Sequence, residues 1–335
     1  MRPTFDARLV NESFGDPGVY VDFRFEKRAL LLDLGDNAPL APRQLLRLSH
    51  AFVSHTHMDH FIGFDRLVRI LIGRHAGIAL FGPPGFVDQV ERRLGAYTWD
   101  RVDRYDFELV LTATEVDEAG ATKSARFRTR TGFAREPLPP GRVEDGVLAD
   151  EETFRVRYAM LDHRTPCLGF AVEEKTHVNV WKNRLADLGL EVGPWVAELK
   201  RAALRGAADG TPIRAAWQDR DGAHERTIAF GALKHALEFV RGQKIAYVTD
   251  VAFHASNLAR IAALARDADV LFIESVFLEA DVAHATQKQH LTARQAGTIA
   301  KAAGARDVIS FHFSPRYAER AAELHAELEA ARRAG

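Results

Sequence analysis

Apolar positions fall into two regularly punctuated blocks, separated by a polar stretch. In the first block, Val19–Phe25 and Ala29–Leu34 are rich in β-branched and apolar residues and predict two strands joined by a turn. Ala51–Ser54 reads as a short buried strand. Leu67, Ile70 and Leu71 recur at helical spacing with charges opposite, predicting a helix over Phe64–Arg74. Ile78–Phe81 predicts a strand closed by Gly82-Pro83-Pro84-Gly85, with a helix over Phe86–Leu94. Short segments from Phe107 to Arg130 suggest antiparallel strands, and Pro137–Gly141 a turn. Thr153–Leu161 and Cys167–Glu173 read as two further strands.

At Glu174 the pattern changes. From there to about Gln243 the chain is polar, punctuated by Gly and Pro, and reads as mostly helix or turn. Alternation resumes with strand Lys244–Thr249, helix Ser256–Arg266, strand Val270–Ile273, helix Thr292–Ala303, strand Val308–Phe311 and a last helix to about Arg333. Antiparallel strands in each half, with helices between and after them, predict a layered α/β sandwich. The organisation expected is one domain over residues 1–335, with 174–243 as an inserted arm.

Composition narrows the field. Hydrophobic residues make up 47% of 335, enough for a sizeable core, which excludes wholesale disorder. The formal net charge of −1 advertises no overall basicity, so any nucleic-acid contact must come from a local patch. Cys167 is the single cysteine, which excludes an internal disulfide framework and a thiolate metal cluster and suits a reducing cytoplasm. The first residues carry no apolar run of signal-peptide length, and the longest apolar runs fall far short of the ~20 residues that span a bilayer. Neither export nor a membrane partner is expected.

The sharpest chemical signal is Ser54-His55-Thr56-His57-Met58-Asp59-His60, directly after a predicted strand. Three imidazoles and a carboxylate within six residues suit a divalent transition metal. Alternate residues of an extended turn face one way, so His55 and His57 can share one ion while Asp59 and His60 point to a neighbouring position.

His-X-His-X-Asp-His after a strand resembles the signature of the metallo-β-lactamase fold, an αββα four-layer sandwich with metals at one edge of its two sheets. Further segments are similar to the ribonuclease Z (tRNA 3′-processing endonuclease) branch. Leu32-Asp33-Leu34-Gly35-Asp36 matches its early strand-end carboxylate motif. Leu161-Asp162-His163 through Phe170 matches a later histidine motif, Tyr247-Val248-Thr249-Asp250 the bridging aspartate, and Phe311-His312-Phe313-Ser314-Pro315-Arg316-Tyr317 the last histidine. Phe272-Ile273-Glu274-Ser275 and His290-Leu291-Thr292 resemble the segments that carry a catalytic histidine and the glutamate orienting it. Leu188-Gly189-Leu190 to Pro194, with Leu199-Lys200, resembles the protruding exosite that grips tRNA, and the arm over 174–243 is a candidate for that exosite or for a dimer contact. Two segments depart from the branch: Asn11–Asp16 replaces a glycine-rich loop, and Gly35-Asp36-Asn37-Ala38-Pro39 replaces Gly-Glu-Gly-Thr-Gln.

The resemblance implies two divalent ions, Zn²⁺ by ligand type, with Mn²⁺ or Co²⁺ also tolerated. His55, His57, His163 and Asp250 would hold one, and Asp59, His60, His312 and Asp250 the other. Asp59 would take a proton from the attacking water, and His290, beside Glu274, would protonate the departing alkoxide. Ser314 and Arg316 are candidates for a substrate phosphate, and Lys200 and Arg201 for RNA contacts from the arm. The expected activity is phosphodiester hydrolysis at the 3′ end of precursor tRNA by a homodimer. The alternatives are a small-molecule phosphodiesterase, phosphotriesterase or lactone hydrolase on the same frame, and a non-catalytic RNA-binding subunit, which would lack ligands.

Overall fold

The computed structural model describes residues 4–102, 105–219 and 222–334. The chain divides into two compact units, one made of Met1–Glu173 with Gln243–Gly335 and the other of Glu174–Gly242.

The first unit holds two large sheets. One runs in chain order from Phe5–Leu9 through Val19–Phe23, Ala29–Leu32, Leu48–Phe52, Gly77–Gly82, Val110–Val116 and Ala121–Arg128 to Arg135–Pro137, and Gly141–Arg142 also pairs with Ala121–Arg128. The other has the spatial order Val147–Asp150, Phe154–Asp162, Pro166–Glu174, Lys244–Val248, Val270–Glu274, Asp307–Phe311. The middle strands of the first sheet, from Ala29–Leu32 to Val110–Val116, are parallel. So are the last three of the second.

Side-chain alternation explains the layering. Along adjacent strands Val19, Val21, Leu30, Leu32 and Phe52 point to the face shared with the other sheet, where they meet Leu168, Phe170, Tyr247, Phe272 and Phe311. Tyr20, Ala29, Leu31, Ala51 and Val53 point outward onto the helices Phe64–Leu71 and Phe86–Gly95. On the far side, Ala246, Val248, Leu271 and Ile273 pack under Ala255–Leu264, Ala293–Ala303 and Ala321–Arg333. The result is the expected αββα sandwich. Helix, sheet, sheet and helix bury both faces of the central parallel strands, as parallel sheets require, while the edge strand Asp307–Phe311 stays partly exposed.

Several boundaries differ from the sequence reading. The strand expected over Ala29–Leu34 ends at Leu32, because Asp33 takes a left-handed φ of 61° and turns the chain inward. The strand expected over Ala51–Ser54 runs over Leu48–Phe52, leaving Ser54 free to bond Asp33. Strand Phe5–Leu9 and helix Val282–Lys288 were not anticipated.

The arm was expected to be mostly helix or turn. Helices Lys182–Ala186 and Trp195–Leu204 are present, but so are two strand pairs, His177–Val180 with Leu237–Val240 and Pro212–Asp219 with Gly222–Ala229. Charged residues hid the alternation. Arg214 and Glu225 form an ion pair at 2.6 Å on the exposed face, while Ile213 and Ala215 join Trp195, Leu199, Phe230 and Leu233 in the unit's own core.

Candidate metal centre

The centre's side chains come from segments that leave strand ends, Asp59 and His60 from the short helix Met58–Phe61 that follows one. Asp33 follows Leu32, the His55–His60 run follows Phe52, Asp250 follows Val248, and His312 follows Phe311. These are the carboxyl ends of parallel strands, the edge where open α/β sheets place ligands. Asp33, Asp250 and His312 all have positive φ, at 61°, 40° and 62°. Left-handed backbone is costly for non-glycine residues, and here it turns each side chain inward from its strand end.

Two ligand groups meet at Asp250. Ligand atoms of His55, His57, His163 and Asp250 all lie within 4.8 Å of one another, and so do those of Asp59, His60 and His312. Asp250 Oδ2 stands 3.6 Å from His55 Nε2 and 3.4 Å from His163 Nε2. Its other oxygen, Oδ1, stands 3.3 Å from His60 Nε2 and 3.1 Å from His312 Nε2. Each group thus faces one oxygen of the same carboxylate. Asp59 Oδ2 completes the second group, 3.5 Å from His60 and 3.7 Å from His312.

The electrostatics call for a cation. Asp250 is buried, which opposes its charge, yet His60 and His312 hold it well below the usual carboxylate range. Burial, helped by neighbouring imidazoles, pushes His55 down to about 2, so it is a neutral donor. His60 is completely buried and its Nε2 has no hydrogen-bond partner among the described residues. Burial alone would discharge it, but Asp250 and Asp33 outweigh burial and raise its proton affinity. A buried orphan nitrogen facing a carboxylate is what a divalent ion would satisfy. Nitrogen and oxygen donors in these groups fit such an ion by number and type.

Partners behind the ligands fix their rings. His60 Nδ1 meets Asp33 Oδ2 at 2.8 Å, and Asp33 also accepts from the Ser54 amide, the Ser54 hydroxyl and the Tyr247 hydroxyl. His163 Nδ1 meets the Gln289 carbonyl at 2.7 Å, and His55 Nδ1 meets Ser54 Oγ at 3.1 Å. Asp33 and Tyr247 lie in segments that resemble the family's motifs, but nothing in the sequence assigns either a partner or points to the Gln289 carbonyl. Gly35 has no room for a side chain, since a Cβ there would lie 2.6 Å from the Asp59 carbonyl. The departing loop is anchored too: Asn37 donates to the Gly63 carbonyl at 2.9 Å and its own carbonyl accepts from Arg66 at 2.6 Å.

His290 stands beside this centre, its ring 4.8 Å from that of His163 and 5.7 Å from that of His312. Its Nδ1 meets Glu274 Oε2 at 2.7 Å, while Glu274 Oε1 accepts from the Val251 and Leu291 amides. Burial would lower the His290 pKa, but fully buried Glu274 outweighs it and holds the imidazole up to about 9.

Of the four candidate substrate residues, Ser314 and Arg316 belong to the first unit, two and four positions after His312. Ser314 starts a short 3₁₀ turn, and Arg316 pairs with Asp281 at 3.4 Å over the Phe277 ring. Lys200 and Arg201 belong to the second unit, Lys200 half-buried beside Trp181, Val192 and Glu238, and Arg201 exposed. His254, the nearest other histidine in sequence to Asp250, caps helix Ala255–Leu264.

No protein-family model matches the chain. It is 32% identical over 299 residues to the ribonuclease Z of Deinococcus radiodurans, covering 87% of this chain and 83% of that protein. It is 29% identical over 312 residues to the ribonuclease Z of Crocosphaera subtropica, covering 89% and 81%. Among solved structures, the short form of human tRNase Z superposes with a TM-score of 0.53 at 18% identity over 93% of each chain. A metallo-β-lactamase fold protein of Bacillus subtilis superposes with a TM-score of 0.54 at 13% identity, covering 98% and 93%. Both structural likenesses are of the fold.

Proposed function

The chain belongs to the ribonuclease Z family, and from that premise we propose that it is a dinuclear metal-dependent endonuclease cutting precursor tRNA at its 3′ end. One observation carries the reading: Asp250 presents one oxygen to each of two ligand groups, the arrangement of a bridging carboxylate.

His55, His57 and His163 would hold one ion and Asp59, His60 and His312 the other, with Zn²⁺ favoured by the donor types. Such ions, when bound, bring the pKa of water toward neutrality and offset the charge of a phosphodiester. The chain's own residues do the rest. Asp59, at the open side of its group, takes the proton of the attacking water. His290, cationic through Glu274, gives a proton to the departing ribose oxygen, which is too basic to leave unprotonated near neutral pH. Asp33 and the Gln289 carbonyl hold His60 and His163 in register. The arm, residues 174–242, supplies RNA affinity through Lys200, Arg201 and their neighbours, and two copies of the chain associate.

The test is a side-by-side assay on precursor tRNA, bis-p-nitrophenyl phosphate and a lactone panel, with metal analysis of wild type and Asp250→Ala. About two ions per wild-type chain, loss of most of both in the variant, and cleavage of precursor tRNA at the 3′ end are expected. A single tightly held ion in an active wild type removes the dinuclear mechanism. Turnover of the small esters or lactones without any RNA cleavage replaces the nuclease by a small-molecule hydrolase.

A further inference from the structure

A second feature of the first unit lies apart from the ligand groups. A cleft of about 870 Å³ opens between helix Phe64–Leu71, the end of helix Phe86–Gly95 and the residues around Tyr97–Trp99 and Tyr105. Five arginines line it against two aspartates, in a chain whose overall charge is −1.

Two of those arginines are structural. Arg66 donates to the Asn37 and Leu40 carbonyls, and Arg93 pairs with Asp65 at 2.9 Å. Arg69 and Arg74 are exposed, and neither has an ion-pair partner among the described residues. Arg101 is exposed as well, 4.0 Å from Asp100. The cleft therefore carries guanidinium groups that the fold itself does not consume.

Aromatic rings stand among them. Tyr97 is 50% exposed and Tyr105 52%. Trp99 is half-buried, fixed by donation from Nε1 to the Leu94 carbonyl at 2.8 Å and by an edge contact with Phe133. Tyr105 lies against Gly73, where a Cβ would come within 2.5 Å of its ring, so the glycine gives the ring its place. Open aromatic faces interleaved with unpaired guanidinium groups bind single-stranded nucleic acid, whose bases stack and whose phosphates pair. A duplex hides those base faces and would use the charge alone.

The first residue that lines the cleft, Phe64, stands four positions after the candidate ligand His60 in the chain. Arg93 stands over the Phe61 ring at 6.0 Å and its Nη2 lies 3.4 Å from the Ile62 carbonyl, and Phe61 directly follows the candidate ligand His60. The eight-residue helix Phe64–Leu71 then runs on for about 12 Å at 1.5 Å per residue.

We infer that this cleft takes single-stranded RNA on the 3′ side of the scissile bond, the trailer of the precursor. The inference rests on the nuclease reading above. It assigns Arg69, Arg74, Tyr97, Trp99 and Tyr105 to substrate binding, with no part in bond cleavage.

The experiment uses the double variant Arg69→Glu/Arg74→Glu in the full chain, with wild-type metal content verified. Two precursor tRNAs are compared, one with a single-nucleotide trailer and one with an unpaired trailer of about eight nucleotides, within the range that single-strand sites cover. The variant should raise KM for the long-trailer substrate roughly tenfold and reduce its salt slope by about 1.4, two phosphate contacts at ~0.7 each. KM for the short-trailer substrate and turnover of bis-p-nitrophenyl phosphate should stay within about twofold. In a second arm, a labelled single-stranded RNA of the same length should bind wild type better than the variant, and Tyr97→Ala should weaken it without any change of net charge.

Equal losses on both precursors, or no loss on either, overturn the trailer assignment and leave the nuclease reading standing. A wild type that hydrolyses bis-p-nitrophenyl phosphate but cuts neither precursor overturns the nuclease reading and the trailer assignment with it. Oligonucleotide binding equal in wild type and both variants also overturns the cleft as an RNA site, whatever the cleavage result.

Discussion

Replacing Glu274 by Gln isolates the proposed general acid. The two side chains are nearly the same shape, and a glutamine Oε1 still accepts from the Val251 and Leu291 amides that hold Glu274 in place. What changes is the group facing His290 Nδ1: a carboxylate at 2.7 Å becomes an amide N–H. That donor favours the neutral ring, and the burial previously outweighed is then opposed only by the charge of Asp250. The imidazole should fall from about 9 to its ordinary 6.5 or below. That fall is about 3 kcal/mol of proton affinity. At about pH 8 the cationic fraction drops from roughly 90% to roughly 3%, about thirtyfold less acid in its working form. Ions in the centre pull both values down together, so the separation survives in the loaded enzyme while both limbs move to lower pH. The sign follows: a general acid works protonated, so kcat falls as pH rises through its pKa, and the variant's basic limb should lie about two units or more below the wild type's. The assay is kcat against pH on precursor tRNA and on bis-p-nitrophenyl phosphate, whose leaving group needs little protonation. NMR titration of His290 in the metal-free protein measures the shift directly. Equal losses on the two substrates at unchanged metal content, or a basic limb that does not move, would refute the general-acid role.

Three other perturbations test separate parts. Asp33→Asn keeps the size but removes the charge behind His60, and should weaken metal binding about 10–100-fold by competition with a chelator, while Asp59 and Asp250 stay in place; unchanged affinity would make Asp33 a packing residue only. Gly35→Ala puts a methyl 2.6 Å from the Asp59 carbonyl and 2.5 Å from that of Pro17, so it should lower both the melting temperature and the metal content; a variant with wild-type melting and metal content would refute the close approach. Replacing residues 183–219 with a short Gly/Ser link should raise KM for precursor tRNA and lower its salt slope while bis-p-nitrophenyl phosphate turnover persists; unchanged RNA cleavage would take the arm out of RNA binding.

What the sequence determined by itself was the pattern and the chemistry that patterns carry. The two-residue alternation of Val19, Val21, Leu30 and Leu32 against Tyr20, Ala29 and Leu31 is a local consequence of pleating, so strands and layers were legible without coordinates. The His55–His60 run was legible because its ligands are neighbours in the chain. Tertiary structure decided everything that depends on distant segments meeting. Asp250 meets His312 because Lys244–Val248, Val270–Glu274 and Asp307–Phe311 are parallel and end together, which brings residues about sixty positions apart to one edge. The fourfold acceptance by Asp33 from Ser54, His60 and Tyr247 has no sequence signature, since a hydroxyl 214 positions away supplies one donor. The strand pairs of the arm escaped notice for the opposite reason. Their charged faces, such as Arg214 against Glu225, look like solvated loop until pairing across the strands reveals the apolar face beneath.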